Sequence, residues 1–500
     1  MKEEISLNGT ISFIETPSDI AQLMADLVSP KFKKKRDINI LDSGCGRGIF
    51  LNKLQKENFS NVEGLELNKE LYQICKKEFP NLKIYNNNYL TWDTKKRYDV
   101  IIGNPPYAHY NSLPLEIQEQ VYEIVKNKES DIYYAFILKS IDLLEDGGEL
   151  IYIVPYSFFY NTFAKIVREK IISNGYLELV IDLDEIRLFK GENPETIIFK
   201  FKKRKSENEE KTVFLRIKNK NIATKTILND AIESINKEES NNTFQYHRKT
   251  VFSSSDDIWT TYPLIEIPSY TRLKDIAWIG VGLVTGYEKA FILSEEEIKK
   301  LNLEEKNKII KLIKARHCKG FSIEGGTYYF LIEDSFLDEE EIKKLFPNLY
   351  EKILPYKQEM TERYLPNNKK WFHWQALRNY KKHKNYYSSP KIYVPNLDRS
   401  KVNRFSLSKE TNFPSGDVLT IVPLKVDPYY LLGYLNSNFF REYYLSAGAR
   451  RGHRITFTQR ILANIKIPKF EKEVEQKIAS IAKKIYTLKQ NDQLLKIDEI

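Results

Sequence analysis

Between residues 38 and 203 short apolar runs alternate with segments of helical spacing. INIL (38–41), VEGLE (62–66), LKIY (82–85), DVII (99–102), ELIYIVP (149–155), LELVIDL (177–183) and TIIFKFKK (196–203) read as strands. IFLNKL, KELYQICKKEF, YYAFILKSIDLL and FAKIVREKIISNG fall between them, with apolar residues at helical intervals. Gly175 is the expected C-cap of the last helix. Such alternation requires crossovers between parallel strands. The expected class is therefore α/β, an open, mostly parallel sheet with helices on both faces. Sheets of this kind bind ligands at the carboxyl ends of their strands.

The unusual residues of this half fall at those ends. LDSGCGRG (41–48) places Gly44, Gly46 and Gly48 between a strand and a helix, where glycine permits a tight turn and close backbone approach. A glycine cluster alone serves equally well as a bare turn. Its spacing is tighter than the GxGxxG dinucleotide fingerprint, which disfavours a dinucleotide. Glu66 ends the next strand, where a carboxylate accepts both hydroxyls of a ribose. Together these suggest an adenosine-containing ligand without a pyrophosphate. Asn88 offers an acceptor for an adenine amine, and Tyr89 and Phe136 are placed to cover such a ring. Each aromatic taken singly is equally a core residue.

The fourth strand runs into NPPY (104–107). Two adjacent prolines remove two N–H donors and fix two φ angles, so the loop is stiff and rich in acceptors. An exocyclic amine on adenine is a weak nucleophile because its lone pair is delocalised. Acceptors on both of its N–H bonds pull that pair out of conjugation. The Asn104 side-chain oxygen and the Pro105 carbonyl suit that task, and Tyr107 suits stacking on the base. With a sulfonium as methyl donor, neither a strong base nor a nucleophilic cysteine is needed.

With these motifs in this order, the first half resembles the gamma-class N6-adenine DNA methyltransferases of the TaqI type, which use S-adenosylmethionine. FIETPSDIAQLMADLV (13–28) is similar to the segment before the glycine turn, which implies Thr16 at the methionine part. LDSGCGRGIF resembles the methionine-binding turn and implies Asp42, Ser43, Gly44 and Cys45. GLELN implies Glu66 at the ribose, and NNNYLTW implies Asn88 and Tyr89 at the adenine. NPPY implies catalysis by Asn104, Pro105 and Tyr107, with Pro106 near the cofactor. YYAFILKSIDLLEDGGELIYIVP implies Phe136 beside the cofactor adenine, and LFKGENPETIIFKF implies Phe189 facing a flipped base. The family usually carries aspartate where this chain has Asn88, which implies weaker or altered cofactor affinity. Similar loops occur in protein-glutamine and some RNA methyltransferases, so an RNA or protein acceptor is the alternative. A DNA-binding protein with a vestigial pocket is a third reading.

The second half bears on that choice. GYLNSNFF and RITFTQRILANIKIP resemble, more loosely, the target-recognition domain of the same family. An aromatic-rich helix there leads to a loop with Arg450, Arg451, His453 and Arg454, and basic groups beside aromatics suit a nucleic-acid backbone. Solvated charges on a helical domain are the plain alternative. The chain carries 78 Lys and Arg against 68 Asp and Glu, a net charge of +10, which hints at a polyanionic partner. Its three cysteines form no CxxC pair and its six histidines are scattered, so no metal site is expected.

The expected organisation is a catalytic methyltransferase domain over 1–262, with 205–262 as a variable connection. An α+β target-recognition domain over 263–470 and a C-terminal helix over 471–500 follow. The implied partner is double-stranded DNA in a cleft between the domains, with a separate cognate endonuclease acting on the same site. A stand-alone monomeric modification enzyme is expected, cytoplasmic and nucleoid-associated in a prokaryote, with no membrane association.

Overall fold

A computed structural model describes residues 14–34, 38–184, 186–189, 195–204, 210–219, 221–250, 259–263, 265–336, 338–366, 369–400, 402–447, 449–451 and 454–491. The chain divides into two compact units, Met1–Leu264 and Ile265–Ile500.

The first unit holds a nine-stranded sheet. Its strands are β1 (Ile40–Asp42), β2 (Val62–Glu66), β3 (Lys83–Asn86), β4 (Tyr98–Gly103), β5 (Leu144–Pro155), β6 (Gly175–Asp182), β7 (Thr196–Lys203), β8 (Lys211–Ile217) and β9 (Phe244–Thr250). The order across the sheet is β3-β2-β1-β4-β5-β7-β6-β8-β9. The ladders β1–β2, β1–β4, β2–β3, β4–β5 and β6–β8 are parallel; β7 runs antiparallel between β5 and β6, and β9 antiparallel to β8. The sheet is mostly parallel, as the alternation implies.

Helices cover both faces. They are α1 (Ser18–Asp26), α2 (Pro30–Lys34), α3 (Ile49–Lys56), α4 (Lys69–Glu78), α5 (Leu115–Val125), α6 (Ile132–Leu143), α7 (Lys165–Asn174) and α8 (Thr224–Lys237). Successive residues of a strand point to opposite faces. Val100 and Ile102 pack with α1, α3, α4 and α8, whereas Ile101 packs with α5, α6 and α7. Apolar on nearly every side, α6 is buried along most of its length, as expected of a helix enclosed within the fold.

One detail differs from the sequence reading. Residues 211–217 and 244–250 are strands of the main sheet, and α8 between them packs on α1, so much of 205–262 is built structure and not a bare connection. TVFLRI alternates its side chains too briefly, amid polar residues, for the strand to stand out. Gly175 is the C-cap of α7, as expected, its N–H donating to the Ile171 carbonyl; with φ 168° it is extended, and it also opens β6. Glycine is needed there for space: a Cβ would lie 2.0 Å from the Lys202 carbonyl oxygen.

The second unit is α+β. A five-stranded sheet is built from 277–281, 418–423, 391–395, 406–408 and 321–322, beside sheets of four, three and two strands. The helix Lys472–Gln490 packs on the helix Pro428–Asn436, with Gly433 allowing Ile478 and Ala482 to approach. Among the described residues no helix is long and apolar enough to cross a membrane.

One ionic cluster lies within the first unit's sheet. Lys200 on β7 sits 3.4 Å from Glu149 and 3.0 Å from Glu178, and donates to Ser29 Oγ at 2.8 Å. Glu149 is fully buried and also accepts from the Ser29 backbone and hydroxyl. Lys200→Ala should leave that carboxylate uncompensated and remove about 3–5 kcal/mol of stability, measured as a lower urea midpoint with an unchanged slope.

Candidate active site

The carboxyl ends of β1, β2 and β4 converge on a cavity of about 140 Å³. The glycine turn forms one wall. Gly46 (φ 52°) and Gly48 (φ 87°) adopt left-handed conformations that L-residues avoid, and α3 starts directly after them. A Cβ on Gly48 would also fall 2.4 Å from the Phe79 ring. Ser43, Gly44 and Cys45 line the cavity from this turn.

Glu66, the last residue of β2, forms the next wall. Its Oε2 accepts from Gly46 N–H at 2.8 Å and its Oε1 from Asn68 N–H at 2.7 Å. Burial raises its pKa despite these donors. Each oxygen keeps a further lone pair, so the carboxylate can still take two ligand hydroxyls.

Beyond it lie Asn88, Tyr89 and Phe136. The Tyr89 and Phe136 rings are 4.9 Å apart, tilted by 31°, and both line the cavity. The Tyr89 hydroxyl is 2.7 Å from Ser140 Oγ, so its ring and not its polar end faces the cavity. Asn88 Oδ1 accepts from Leu90 N–H at 2.9 Å, and Asn88 Nδ2 donates to Gln120 Oε1 at 2.6 Å.

The loop after β4 closes the far end. Asn104, Pro105, Pro106 and Tyr107 all line the cavity, as does Thr16. The Asn104 amide is held at three points. Its Nδ2 donates to Thr16 Oγ1 at 3.2 Å and to the Ile14 carbonyl at 3.3 Å, and its Oδ1 accepts from the Tyr107 hydroxyl at 2.5 Å. The same hydroxyl lies 2.9 Å from the Ile153 carbonyl. Burial pushes the Tyr107 phenol well above its ordinary pKa, so it stays protonated. Phe189 and Tyr133 meet the Tyr107 ring edge-on, each at 6.2 Å between centroids.

Most of the residues singled out from sequence thus share one cavity. Of the site residues that the resemblance implies in the first unit, two do not line it. Asp42 lies buried beneath the turn, its Oδ1 accepting from Gly44 N–H at 3.3 Å, while its Oδ2 meets no donor among the described residues. Phe189 touches Tyr107 and does not line the cavity. In the second unit Arg454 stands on the strand Arg454–Thr456, half-buried. The side chains of Arg450 and Arg451, and all of His453, lie outside the described residues. Ile117 on α5 and Ile132 at the start of α6 add apolar wall that the sequence reading missed. Periodicity marks both as helix-face residues and nothing marks them as lining.

The donor set fits S-adenosylmethionine: a carboxylate with spare acceptor capacity for a ribose, an aromatic and apolar slot for adenine, and a glycine turn that brings backbone close to the remainder. Fold and site together define an S-adenosylmethionine-dependent methyltransferase. Residues 21–189 match the Eco57I restriction-modification methylase family, and residues 349–467 match the TaqI-like C-terminal specificity domain. Over 235 residues the chain is 53% identical to the Type II methyltransferase M.MjaIV of Methanocaldococcus jannaschii, covering 46% of this chain and 78% of that protein. It is 29% identical to M.HindII of Haemophilus influenzae over 520 residues, 95% of this chain and 94% of the relative. In fold it is similar to the Type IIL restriction-modification enzyme MmeI solved in complex with DNA, with a TM-score of 0.60 at 12% identity, over 94% of this chain and 68% of the other. The chain belongs to the TaqI-type restriction-modification methyltransferases, enzymes that methylate DNA.

Burial pushes the Asp42 carboxyl up to about 8; the Gly44 N–H opposes the shift and the Glu66 charge adds to it. In the unfolded chain an aspartate titrates near pH ~4, so the folded state holds its proton over a wider range. Stability should therefore fall as pH rises from about 4 to about 8 and then level off. In the ligand-free enzyme, Asp42→Asn should flatten the decline of melting temperature between about pH 5 and 8 relative to the parent. An unchanged slope would show that Asp42 ionises freely.

Proposed function

We propose that this DNA methyltransferase acts on the N6 amine of an adenine swung out of the duplex. The observation that carries the reading is the fixed Asn104 amide. With its NH₂ tied to Thr16 and Ile14, its oxygen is the atom left to accept from a substrate amine. S-adenosylmethionine supplies a methyl group already activated on a sulfonium. Asn104 Oδ1 and the Pro105 carbonyl take the two N–H bonds of the amine, and its lone pair turns toward the methyl carbon. As the N–C bond forms and the C–S bond breaks, one amine proton passes to solvent. The two prolines hold both acceptors still, so little reorganisation is needed at the moment of transfer.

Tyr107 supplies the plate on which the extruded base stacks, with Phe189 at its edge. Its hydroxyl now occupies one lone pair of Asn104 Oδ1, and the second remains for the base. Thr16, Ser43, Gly44, Cys45, Glu66, Asn88, Tyr89, Pro106 and Phe136 are assigned to the cofactor, with Asp42 supporting the turn from below. The second unit reads the target, with Arg450, Arg451 and Arg454 on the phosphates. The enzyme is read as the monomeric modification partner of a separate endonuclease that acts on the same site.

Labelled-methyl transfer to unmethylated genomic DNA, followed by sequencing of the product, tests the reaction. N6-methyladenine at one short motif is expected; label in cytosine, RNA or protein would overturn the assignment. Asn104→Ala should lower the rate by roughly 10²-fold or more while DNA affinity stays near the parent value. Replacing Arg450 and Arg451 by alanine should weaken DNA binding and make it less salt-dependent by about one to two units of slope.

A further inference from the structure

Four hydroxyls form a buried chain beside the cavity. Ser43 Oγ lies 2.6 Å from the Tyr152 hydroxyl, which lies 2.7 Å from Ser140 Oγ, which lies 2.7 Å from the Tyr89 hydroxyl. They come from four places: the residue after β1, strand β5, helix α6 and the segment after β3. None of the four is more than 3% exposed. The chain therefore runs under the cavity from the glycine turn to the aromatic plate, and its two end residues line that cavity.

The direction of each bond follows from one more contact. Ser140 Oγ is also 2.7 Å from the Phe136 carbonyl oxygen. A carbonyl cannot donate, so the Ser140 proton lies there. Ser140 then has only lone pairs to offer, and the protons of both Tyr152 and Tyr89 must point at it. With its own proton spent, Tyr152 can only accept from Ser43. Any other order leaves two oxygens at hydrogen-bonding distance with no proton between them, which is repulsive and costly in a dry interior. The proton of Ser43 is thus turned inward, and what Ser43 shows the cavity is lone pairs. Gly103 leaves room for this oxygen: a Cβ there would sit 3.1 Å from Ser43 Oγ.

We propose that Tyr152 is a positioning residue that makes Ser43 an obligate acceptor, and that Ser43 accepts from the α-ammonium of S-adenosylmethionine. An oxygen that offers only lone pairs repels a carboxylate and favours a cationic N–H. Elsewhere along the cavity Glu66 suits the hydroxyls and Asn88 the ring amine, which leaves the ammonium as the donor for the glycine-turn end. The inference rests on the cofactor lying in this cavity.

The test is ligand binding to the DNA-free enzyme by calorimetry, using S-adenosylmethionine, S-adenosylhomocysteine and methylthioadenosine. The second lacks the sulfonium charge but keeps the ammonium; the third lacks the amino-acid part. Tyr152→Phe should weaken the first two by a similar factor, on the order of 10-fold, and leave methylthioadenosine unchanged. Ser43→Ala should do the same, and the double variant should be no worse than either single one. Equal weakening of all three ligands would reduce Tyr152 to a structural role and overturn the proposal. Weakening of S-adenosylmethionine alone would move the contact to the sulfonium, and no weakening would remove the contact altogether. Glu66→Ala is the separate control. If it leaves methylthioadenosine binding intact, the cofactor does not lie in this cavity and the underlying reading fails.

Discussion

The pairing of β1 with β4, which sets Asp42 opposite Ile102, fixes where both halves of the pocket lie. One residue past that register, Ser43 and Gly103 face each other, and the glycine turn and the NPPY loop leave the sheet from adjacent points. A slip of one residue would turn every side chain of β1 to the opposite face and exchange its two apolar environments. That slip is barred because both faces are buried, Ile40 toward one helical layer and Leu41 toward the other. The precision of the site is thus set by hydrophobic packing on strands that carry no catalytic group.

Much of this was legible in the sequence, because the signals are local. A glycine turn, an acid at a strand end and Asn-Pro-Pro-Tyr each occupy a few consecutive residues with one dominant conformational meaning. What was not legible depends on contacts between distant segments. Ser140 looks like a neutral position in an apolar helix and Tyr152 like one more strand residue; only the packing of α6 on β5 brings their oxygens to 2.7 Å. Gly175 is legible as a helix cap, but its need for space at Lys202 is not, because that arises from a strand that returns later. Strands β8 and β9 were hidden for a related reason: at the sheet margin, half-exposed positions blur the apolar alternation.

Asn88 shows how a departure from a family pattern can be absorbed locally. Its oxygen keeps the turn to Leu90 that an aspartate would also make. Its amine donates to Gln120, which an aspartate could not do. An aspartate at this position would require Gln120 to turn its own amine inward. The pair Asn88 and Gln120 therefore works as a unit, and the end of the cavity beside Tyr89 and Phe136 carries one negative charge fewer.

The strand order has a consequence for how the chain is made. On its outer side β5 pairs with β7 and not with β6, although β6 is synthesised first. During translation the segment from β1 to β5 can assemble as soon as residue 155 has left the ribosome. The outer edge of β5 then stays unpaired until β7, ending at Lys203, has emerged. For that interval the nascent chain presents a long apolar edge of the kind that pairs with other chains. At ~5–20 residues per second the exposure lasts seconds, against the roughly 1–10 μs in which a hairpin forms.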